Sequence, residues 1–488
     1  MAMLGKRRPP RPASGHSGLA RTPSRVVEPK QTASATLLVE RLAHDGRGVA
    51  HNTAGKTVFI DQALPGEQVD VAVHVTRKRY DEAHVKTRLT TSEQRVEPPC
   101  QYFGQCGGCD LQHLNITAQR QHKREVVTEL MARQGITLST ITALNGASER
   151  YRRRARLGVK VDGQGNVLLG FRASHSHRLV DIERCHVLVP ALDALMLPLR
   201  QLLKTLEAPR HVGHVELLAT DEATVVLVRQ LKAHEQDMAR WQRFAEQQHI
   251  SLGTWLGRET PALHWSGAQS GGEPLLQEVL HLDELAIQRA SPPIAAHLSA
   301  GANAPNVLTL RFAPGDFLQV NAAVNQKMVA QVAEWLSPKP GQQLLDLFAG
   351  IGNFSLPLAA AGAQVVAVEG NPAMVERITA NAAFNEVAVY AQQADLSNAE
   401  TVRHLLSQHQ QIDALVLDPP RNGAEAVCQA LGRYKIPRIA YISCDPATLA
   451  RDAAHLVHAG YRVRQVAVAD MFLHTAHLET LMLFEYVG

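Results

Sequence analysis

Three largely apolar runs in the C-terminal part of the chain are each followed by a polar or reactive side chain. They lie at 344–345, 363–368 and 436–442, and they lead into Asp346, Glu369 and, after Ser443, Cys444. Such runs are typical of buried strands, and open α/β sheets place their chemistry at the carboxyl ends of parallel strands. The pattern therefore predicts a Rossmann-like α/β domain whose reactive groups meet at one edge of the sheet.

The glycine-rich segment after the first of these strands predicts a nucleoside site. In Asp346–Asn353 the glycines allow a tight turn, and the following helix would direct backbone amides toward a ligand. Glu369 follows about twenty residues past the first glycine, where an acid can accept both ribose hydroxyls. No third glycine stands at the dinucleotide spacing, and Asn353 occupies the first helical turn instead. This favours an adenosyl ligand over NAD.

Cys444 is the candidate nucleophile. A lone cysteine in an apolar strand is usually a small buried hydrophobe, and that interpretation remains the alternative. Its place at a strand end favours reactivity, as do two further motifs in the same half of the chain, Asp418-Pro419-Pro420-Arg421 and His477-Leu478-Glu479. Together these segments predict a methyl-transfer site built around a covalent cysteine.

Methylation of a pyrimidine carbon explains why a thiol and a carboxylate are both needed. C5 of a pyrimidine is a poor nucleophile until a thiolate adds at C6, so we assign that addition to Cys444. The methylated C5 must then lose its proton to a base, which we assign to Glu479. The alternative for Glu479 is a salt-bridging acid at a strand edge, and for Asp418 a strand-end cap. The target base must also leave its stack to reach a buried thiol.

Composition limits the possible partners. The chain has 488 residues, and a prior of about three domains follows. No run approaches the ~18 apolar residues of a membrane span, so we expect no membrane partner. Residues 1–32 form a basic tail rich in Arg, Pro, Ser and Gly that we expect to be disordered. A solvated arm and weak attraction to nucleic acid are equally favoured for it.

Residues 33–92 predict a small RNA-binding β-barrel. Strand-like alternation occurs at 36–42, 57–60, 68–75 and 84–89, and five short strands in such a length suit an oligonucleotide-binding barrel. Exposed basic residues with an aromatic among them fit a nucleic-acid surface, although a solvated edge strand is the alternative. They are Arg77, Lys78, Arg79, Tyr80, Lys86 and Arg88. The order of strands and turns resembles the TRAM domain, an RNA-binding module.

Four of the six cysteines predict a metal site. Cys100, Cys106 and Cys109 lie in one glycine-containing loop, and Cys185 supplies a fourth thiol from a distant strand end. Without a secretory signal such a cluster indicates metal rather than disulfides. The three-plus-one spacing favours an iron–sulfur cubane, and a zinc site remains the alternative. Radical chemistry on S-adenosylmethionine is disfavoured, because the first gap is too long for that family's motif and a separate nucleoside site is present.

The region between the cysteine loop and the catalytic half contains mixed elements. We expect a helix over 111–134, hairpins over 156–171 and 215–229, and a long irregular linker over 258–305. The run Arg150–Arg156 contains five arginines and a tyrosine. Since arginine pairs with phosphates and stacks on bases, this run favours RNA contact.

These motifs together resemble the RNA uracil-C5 methyltransferase family, in the branch that modifies 23S ribosomal RNA. The resemblance also includes residues 312–321 and 443–452 and the segment Asp470–Glu479, and it covers most of residues 33–488. It implies that Cys444 is the nucleophile, that Glu479 is the base and that four cysteines hold a [4Fe-4S] cluster. The residues that it implies for the S-adenosylmethionine pocket are Gln319, Phe348, Asn353, Glu369, Asp395 and Asp418. One departure is Leu473, where the family leads us to expect proline, which bears on the stiffness of the loop before Glu479.

The resulting expectation is a multidomain, cytoplasmic, monomeric enzyme acting on 23S ribosomal RNA. A TRAM-like barrel (33–92) would precede a central α+β domain with the cluster (93–305) and a class I methyltransferase domain (306–488). We expect the helix at 112–135 to pack on the catalytic domain. The target would be one uridine, converted to 5-methyluridine.

Four alternatives are kept. Another 23S or transfer RNA uridine would use the same residues. A cytosine-C5 enzyme would place a cysteine after the Pro-Pro turn, and an amino-group methyltransferase an aromatic, but Arg421 stands there. A non-catalytic RNA-binding assembly factor would need neither Cys444 nor Glu479.

Overall fold

The computed structural model describes residues 36–174, 176–259, 261–267, 274–285, 287, 306–409 and 411–488. The basic tail and part of the 258–305 segment lie outside the described residues. The chain divides into two compact units, Met1–Arg95 and Val96–Gly488. No helix within the described ranges is both long and apolar enough to cross a membrane.

The N-terminal unit is one six-stranded sheet. Its strands are β1 (Thr36–Leu38), β2 (Arg41–Leu42), β3 (Gly48–His51), β4 (Thr57–Asp61), β5 (Gln68–Thr76) and β6 (Tyr80–Arg88). Their order is β1-β5-β6-β4-β3-β2, with only the β4–β6 pair parallel. Six short strands thus replace the predicted five. Gly48 has no room for a side chain, since a Cβ there would lie 2.8 Å from the carbonyl oxygen of Ala63. The predicted basic residues on and before β6 are exposed, and Tyr80 is half-buried.

The second unit begins with the cysteine loop, α1 (Ile116–Arg133) and β7 (Ile141–Leu144). The predicted helix starts five residues too early, because the Asn115 side chain caps the helix by accepting a hydrogen bond from the Ala118 amide at 2.9 Å. The helix stops before Gly135, whose φ is +75°. Apolar side chains of α1 pack into the same core as the C-terminal sheet.

A seven-stranded sheet follows. It contains β8 (Arg154–Val161), β9 (Val167–Arg172), β10 (Leu179–Asp181), β11 (Val212–Ala219), β12 (Thr224–Gln230), β13 (Ser251–Leu256) and β14 (Ala262–Gly267), in the order β10-β9-β8-β11-β12-β13-β14. Two helices, α2 (Pro190–Thr205) and α3 (Glu235–Gln248), share its core. The β8–β9 and β11–β12 pairs confirm both predicted hairpins.

The expected irregular linker over 258–305 is wrong where the structure describes it. β14 lies there, and so does β15 (Leu276–His281), which pairs with β16 (Val307–Phe312). The inward positions of β15 are Leu276, Glu278 and Leu280, and the charge in the middle hides the alternation. Glu278 is tolerated inside because it pairs with Arg153, whose Nη2 lies 2.8 Å from its Oε1.

The C-terminal sheet has eight strands. After α4 (Ala322–Leu336) come β17 (Gln343–Leu347), α5 (Ser355–Ala360), β18 (Gln364–Glu369), α6 (Pro372–Phe384), β19 (Val389–Gln393), α7 (Ala399–Gln408), β20 (Ala414–Leu417), α8 (Glu425–Leu431), β21 (Arg438–Ser443), α9 (Pro446–His458), β22 (Tyr461–Ala469) and β23 (Glu479–Tyr486). Their order is β19-β18-β17-β20-β21-β23-β22-β7, and β23 alone runs antiparallel to its neighbours.

The order in which the strands are added to this sheet changes side between β17 and β20. Strands β18 and β19 extend to one side of β17, and β20 and β21 extend to the other. Ligands of open α/β sheets bind at such a switch point, outside the carboxyl ends of the strands. The three predicted strands are confirmed and their ends meet at this edge, although Asp346 lies inside β17 and Glu369 is the last residue of β18, so only Cys444 comes after its strand.

Candidate active site

The pairing of β21 with β23 brings Cys444 and Glu479 together. The last pair in the ladder is Ser443 with Thr480, so one step further along both strands lie Cys444 and Glu479. Directly opposed residues in an antiparallel pair have Cβ atoms about 4.5–5.5 Å apart. Two residues 35 positions apart in the sequence are therefore placed side by side by strand register.

The thiol lies in a mixed electrostatic environment. Burial, together with the nearby carboxyl groups of Glu479 and Asp418, raises the pKa of Cys444 to about 11, and Arg421 acts in the opposite direction. Because this pKa lies far above neutrality, the free protein holds Cys444 mainly as the thiol. Arg421 is a site residue whose role sequence reasoning missed, although it lies in the quoted Asp-Pro-Pro-Arg motif.

Glu479 is buried at the first position of β23. Burial raises the pKa of its carboxyl well above the ordinary value, and Asp418 adds to this effect. Arg421 and Lys123 oppose it by favouring the carboxylate. Lys123, from α1, is itself 1 % exposed and donates a hydrogen bond to the carbonyl of Phe472 at 2.9 Å. Nothing in the local sequence of α1 indicates this role.

The glycine-rich loop and Glu369 form a second cluster at the ends of β17 and β18. The Gly350 amide donates to Glu369 Oε2 at 3.1 Å, and the Asn371 amide donates to Oε1 at 3.0 Å. Gly350 and Gly352 have φ of +60° and +96°, and a Cβ at Gly352 would lie 2.3 Å from a methyl group of Leu356. Glycine is required there, and the backbone holds the Glu369 carboxylate in place.

The remaining residues predicted for the donor pocket surround this cluster. Asn353 exchanges two 2.9 Å hydrogen bonds with Asn325 of α4, a partner that sequence reasoning missed. Asp395 lies exposed in the turn after β19, where its carboxylate accepts from Ser397, and the preceding Ala394 amide donates to the Glu369 carbonyl at 3.2 Å. Phe348 begins the loop with φ of +65°.

Two carboxyl groups, of the buried Asp346 and the half-buried Asp418, lie where the strand order changes direction. Asp418 follows β20, and its amide donates to the Leu347 carbonyl of β17 at 3.4 Å. Burial and the neighbouring Asp346 raise the pKa of Asp418 to about 7. Burial likewise raises the pKa of Asp346 to about 7, and the Ser355 hydroxyl donates to its carboxyl. Asp418 thus lies between the glycine-rich loop and the Cys444–Glu479 pair.

Gln319 is buried before α4 and connects this edge of the sheet to the arginine run. Its carbonyl accepts a hydrogen bond from Arg153 Nε at 2.8 Å. The predicted RNA contact of the whole run is wrong for Arg153, which is 8 % exposed and ion-paired with Glu278. Arg150 and Arg156 at the ends of the run are exposed.

The four predicted metal-ligand cysteines are close enough to influence one another. Burial and the thiols of Cys185, Cys106 and Cys100 together raise the pKa of Cys109 to about 12, against a lowering hydrogen bond with the Gln112 side chain. Cys106 pairs with Ala173 in an isolated β-bridge, which fixes the loop beside the end of β9. Over the described ranges, no group of three or more His, Cys, Asp or Glu side chains is arranged to hold a single metal ion.

Leu473, found where proline was expected, does not leave its loop unsupported. Its side chain is fully buried beside Tyr151 and Val187, and its carbonyl accepts a hydrogen bond from the Tyr151 hydroxyl at 2.8 Å. Packing and hydrogen bonding therefore hold this part of the loop.

The sheet order, the glycine-rich loop and the acid after the second strand define a class I S-adenosylmethionine-dependent methyltransferase fold. The structure is similar to that of the tRNA (uracil-54, C5)-methyltransferase of Pyrococcus abyssi in complex with S-adenosyl-L-homocysteine, with a TM-score of 0.68 and 21% identity, covering 92% of this chain and 100% of that one. At this identity the likeness shows the fold.

Sequence comparison identifies the family. Residues 304–487 match the family model described as tRNA (Uracil-5-)-methyltransferase, and residues 34–86 match the TRAM domain. A protein of Halomonas elongata named 23S rRNA (uracil(1939)-C(5))-methyltransferase RlmD is 54% identical over 100% of this chain and 97% of its own length. A protein of the same name from Chromohalobacter salexigens is 50% identical over 99% of this chain and 95% of its own length. The chain belongs to the RNA uracil-C5 methyltransferase family.

Proposed function

We propose that this enzyme methylates C5 of one uridine in 23S ribosomal RNA, giving 5-methyluridine. Two relatives that match at least 99% of this chain, at 50% identity or more, are named for that reaction. The structural observation that carries the proposal is the strand register that sets Cys444 beside Glu479. The chemistry of C5 methylation needs a thiolate and a base at one pyrimidine, and this register supplies both groups.

Cys444 adds to C6 of the uracil and makes C5 nucleophilic. The thiol must first lose its proton, which the carboxyl groups around it oppose and Arg421 favours. Bound S-adenosylmethionine supplies the methyl group on a positively charged sulfur. A positive group next to Cys444 lowers a thiol pKa, so donor binding and thiol activation support each other.

Glu479 removes the C5 proton after the methyl group has been transferred. The electron pair of the C5–H bond forms the C5=C6 double bond, and the C6–S bond breaks with its pair returning to Cys444. A carboxylate with a raised pKa is a stronger base, and burial gives Glu479 this property. Lys123 and Arg421 supply the opposing positive charge that favours its ionised form.

The donor would lie at the carboxyl ends of β17 and β18. Glu369 is oriented by the Gly350 and Asn371 amides, which leaves a fixed carboxylate to accept ribose hydroxyls. The close approach at Gly352 supports a backbone-lined site. The proposed pocket residues are Gln319, Phe348, Asn353, Glu369, Asp395 and Asp418.

We also propose that Cys100, Cys106, Cys109 and Cys185 hold a [4Fe-4S] cluster. Four neighbouring thiols, with the pKa of Cys109 raised to about 12 and that of Cys185 to about 11 by burial, suit metal rather than free thiolates. The cluster would join the loop to the segment after β10.

The remaining parts would serve RNA binding. We assign RNA contact to the basic residues of the TRAM barrel and to Arg150 and Arg156, which are exposed. Barrel, central domain and catalytic domain are proposed to divide at 92 and 305, although β7 joins the C-terminal sheet across the second division. A cytoplasmic monomer remains our proposal for the assembly.

Mass mapping of ribosomal and transfer RNA from cells lacking the protein tests the substrate. We expect loss of one 5-methyluridine from 23S ribosomal RNA, restored by the native gene and not by the Cys444→Ala gene. Loss of a modification from transfer RNA would move the target to that RNA. An unchanged map would overturn the proposed function and favour an assembly role.

A further inference from the structure

The backbone of the loop before Glu479 accepts hydrogen bonds from side chains and amides in the N-terminal part of its own compact unit. Three successive carbonyl groups in this loop accept such bonds, and all the distances lie between 2.8 and 2.9 Å. Lys123 Nζ donates to Phe472, the Tyr151 hydroxyl to Leu473, and the amides of both Asp110 and Leu111 to His474. The position of the loop is thus set by residues outside its own sheet.

Gln119 of α1 is central to this arrangement. Its side chain is fully buried, and its Nε2 donates to the carbonyls of Leu111 at 2.9 Å and Leu114 at 2.7 Å. Its Oε1 accepts from the His474 amide at 3.0 Å, and Nε2 also lies 3.2 Å from His474 Nδ1. One side-chain amide therefore joins residues 111–114, which follow the cysteine loop, to the loop that leads into Glu479.

His474 needs this support because its backbone is in the left-handed region. Its φ is +68°, which costs a residue with a side chain about 1 kcal/mol or more unless the surroundings hold it. The Gln119 amide and the Asp110 and Leu111 amides satisfy both backbone polar groups of His474. Removing the side-chain amide would leave the buried His474 amide without this acceptor and free the loop to relax.

Further contacts hold the loop at its start, at Asp470, and near its end, at Ala476. Asp470 forms an ion pair with Arg120 of α1 at 2.7 Å and accepts from the Gly146 amide at 3.1 Å. Asp110 Oδ2 accepts from the Ala476 amide at 3.3 Å. Cys444 follows β21, and the glycine-rich loop follows β17, so neither depends directly on these contacts.

We propose that Gln119 and the Tyr151 hydroxyl, together with the amides of Asp110 and Leu111, position Glu479 for removal of the C5 proton. The inference rests on the proposed function and adds positioning residues to it. Asp110 directly follows Cys109 and bonds to His474 and Ala476 of the loop. Through these bonds the cysteine loop sets the geometry of the proton-removal step rather than of thiol addition. In that step the proton moves from C5 to the Glu479 carboxylate, the C–H pair forms C5=C6, and the C6–S pair returns to Cys444.

The test compares Gln119→Met with Gln121→Met in the full-length protein. Gln121 is the same residue type on the same helix but is exposed, so its replacement is a matched control. Each variant is mixed with 23S ribosomal RNA from cells lacking the protein and with methyl-labelled S-adenosylmethionine in a single turnover. Methyl incorporation and the lifetime of the covalent protein–RNA adduct are followed separately.

We expect Gln119→Met to incorporate the methyl group at the native rate while its methylated adduct persists about tenfold longer, a barrier increase of about 1.4 kcal/mol. Gln121→Met should match the native protein in both measurements. Hydrogen exchange without RNA should be faster at residues 472–478 in Gln119→Met only. A positioning role moves adduct lifetime and exchange together, whereas a general loss of stability would slow both chemical steps.

Two results would overturn the inference: equal slowing of incorporation and adduct decay, or an unchanged adduct lifetime in Gln119→Met. Glu479→Gln is the reference, because a persistent methylated adduct in that variant supports the base assignment independently. Persistence in Glu479→Gln without persistence in Gln119→Met rejects this inference alone. If Gln119→Met does not fold, Tyr151→Phe keeps its ring and loses only the hydroxyl donor to Leu473, and a native adduct lifetime there would equally reject it.

Discussion

The protein has two cysteine sites in which burial raises the thiol pKa, yet their surroundings differ. Cys444 has carboxyl groups from Glu479 and Asp418 and the guanidinium of Arg421 nearby, and its pKa rises to about 11. At Cys109 burial and neighbouring thiols raise the pKa to about 12, and a hydrogen bond with the Gln112 side chain lowers it in part. Charges of both signs surround the first thiol, so one added positive ligand can shift its ionisation. At the second site, the proposed cluster would supply the charge that ionises the thiols together.

The two sites also differ in how the chain positions them. Cys444 and Glu479 are placed by the register of two buried strands, which is rigid and does not depend on a ligand. The four cysteines lie in loops, held by single contacts such as the Cys106–Ala173 bridge and the 2.7 Å bond from the Cys185 amide to Asp193. We therefore expect the first site to survive removal of its reactive group, and the second to lose order.

The largest effect should follow from Cys444→Ala. Without the sulfur no bond to C6 can form, so we expect methyl transfer to stop. The covalent protein–RNA adduct should likewise be absent from denaturing gels. Cys428→Ala is the control, because Cys428 is fully buried in α8 and should cost only about 1 kcal/mol of stability. Turnover by the alanine variant at position 444 would contradict covalent catalysis.

The next largest effect should separate the two sites. Cys109→Ser should lower bound iron and sulfide to near zero and lower the melting temperature by several degrees, because an ordered metal site stabilises the native state. Cys444→Ser should keep native iron and a near-native melting temperature. Analysis of iron, sulfide and zinc with thermal unfolding measures both. One zinc ion per native chain, without iron, would reject the cluster.

Local sequence patterns predicted the elements that carry the active site. The apolar runs before Glu369 and Cys444 form β18 and β21, since burial of a parallel strand requires a continuous apolar run. The family resemblance and the chemistry predict Glu479 as the base. Its place opposite the position after Ser443 is a matter of register, which one strand's sequence does not contain.

The missed features all depend on partners distant in the sequence. Gln119 and Lys123 are polar side chains on the buried face of α1, and their partners lie in the 472–474 loop. Glu278 makes β15 look irregular, and Arg153 resembles an RNA contact, until the two are seen to neutralise each other. A buried charge reads as a surface charge when its partner is unknown.

The smallest effect tests the charges around Cys444 directly. Asp418→Asn removes a negative neighbour and should lower the Cys444 pKa by about one unit, which makes alkylation about tenfold faster at pH 8. The carboxyl of Asp418 has a pKa of about 7, so the two proteins should converge below that pH, where aspartic acid and asparagine are both neutral. Iodoacetamide labelling of the Cys444 peptide, followed by mass spectrometry across pH, measures this.

Asp221→Asn is the matched control for that experiment, since Asp221 is exposed in the turn between β11 and β12 and should leave the labelling rate unchanged. Labelling of Cys109 in the native protein should stay slow over the same pH range, because the neighbouring groups that act on it are thiols rather than Asp418. Equal acceleration of Cys444 and Cys109 by Asp418→Asn would mean that the substitution opens the structure. In that case the labelling rates of both cysteines would depend on the stability of the fold rather than on the local charge around each thiol.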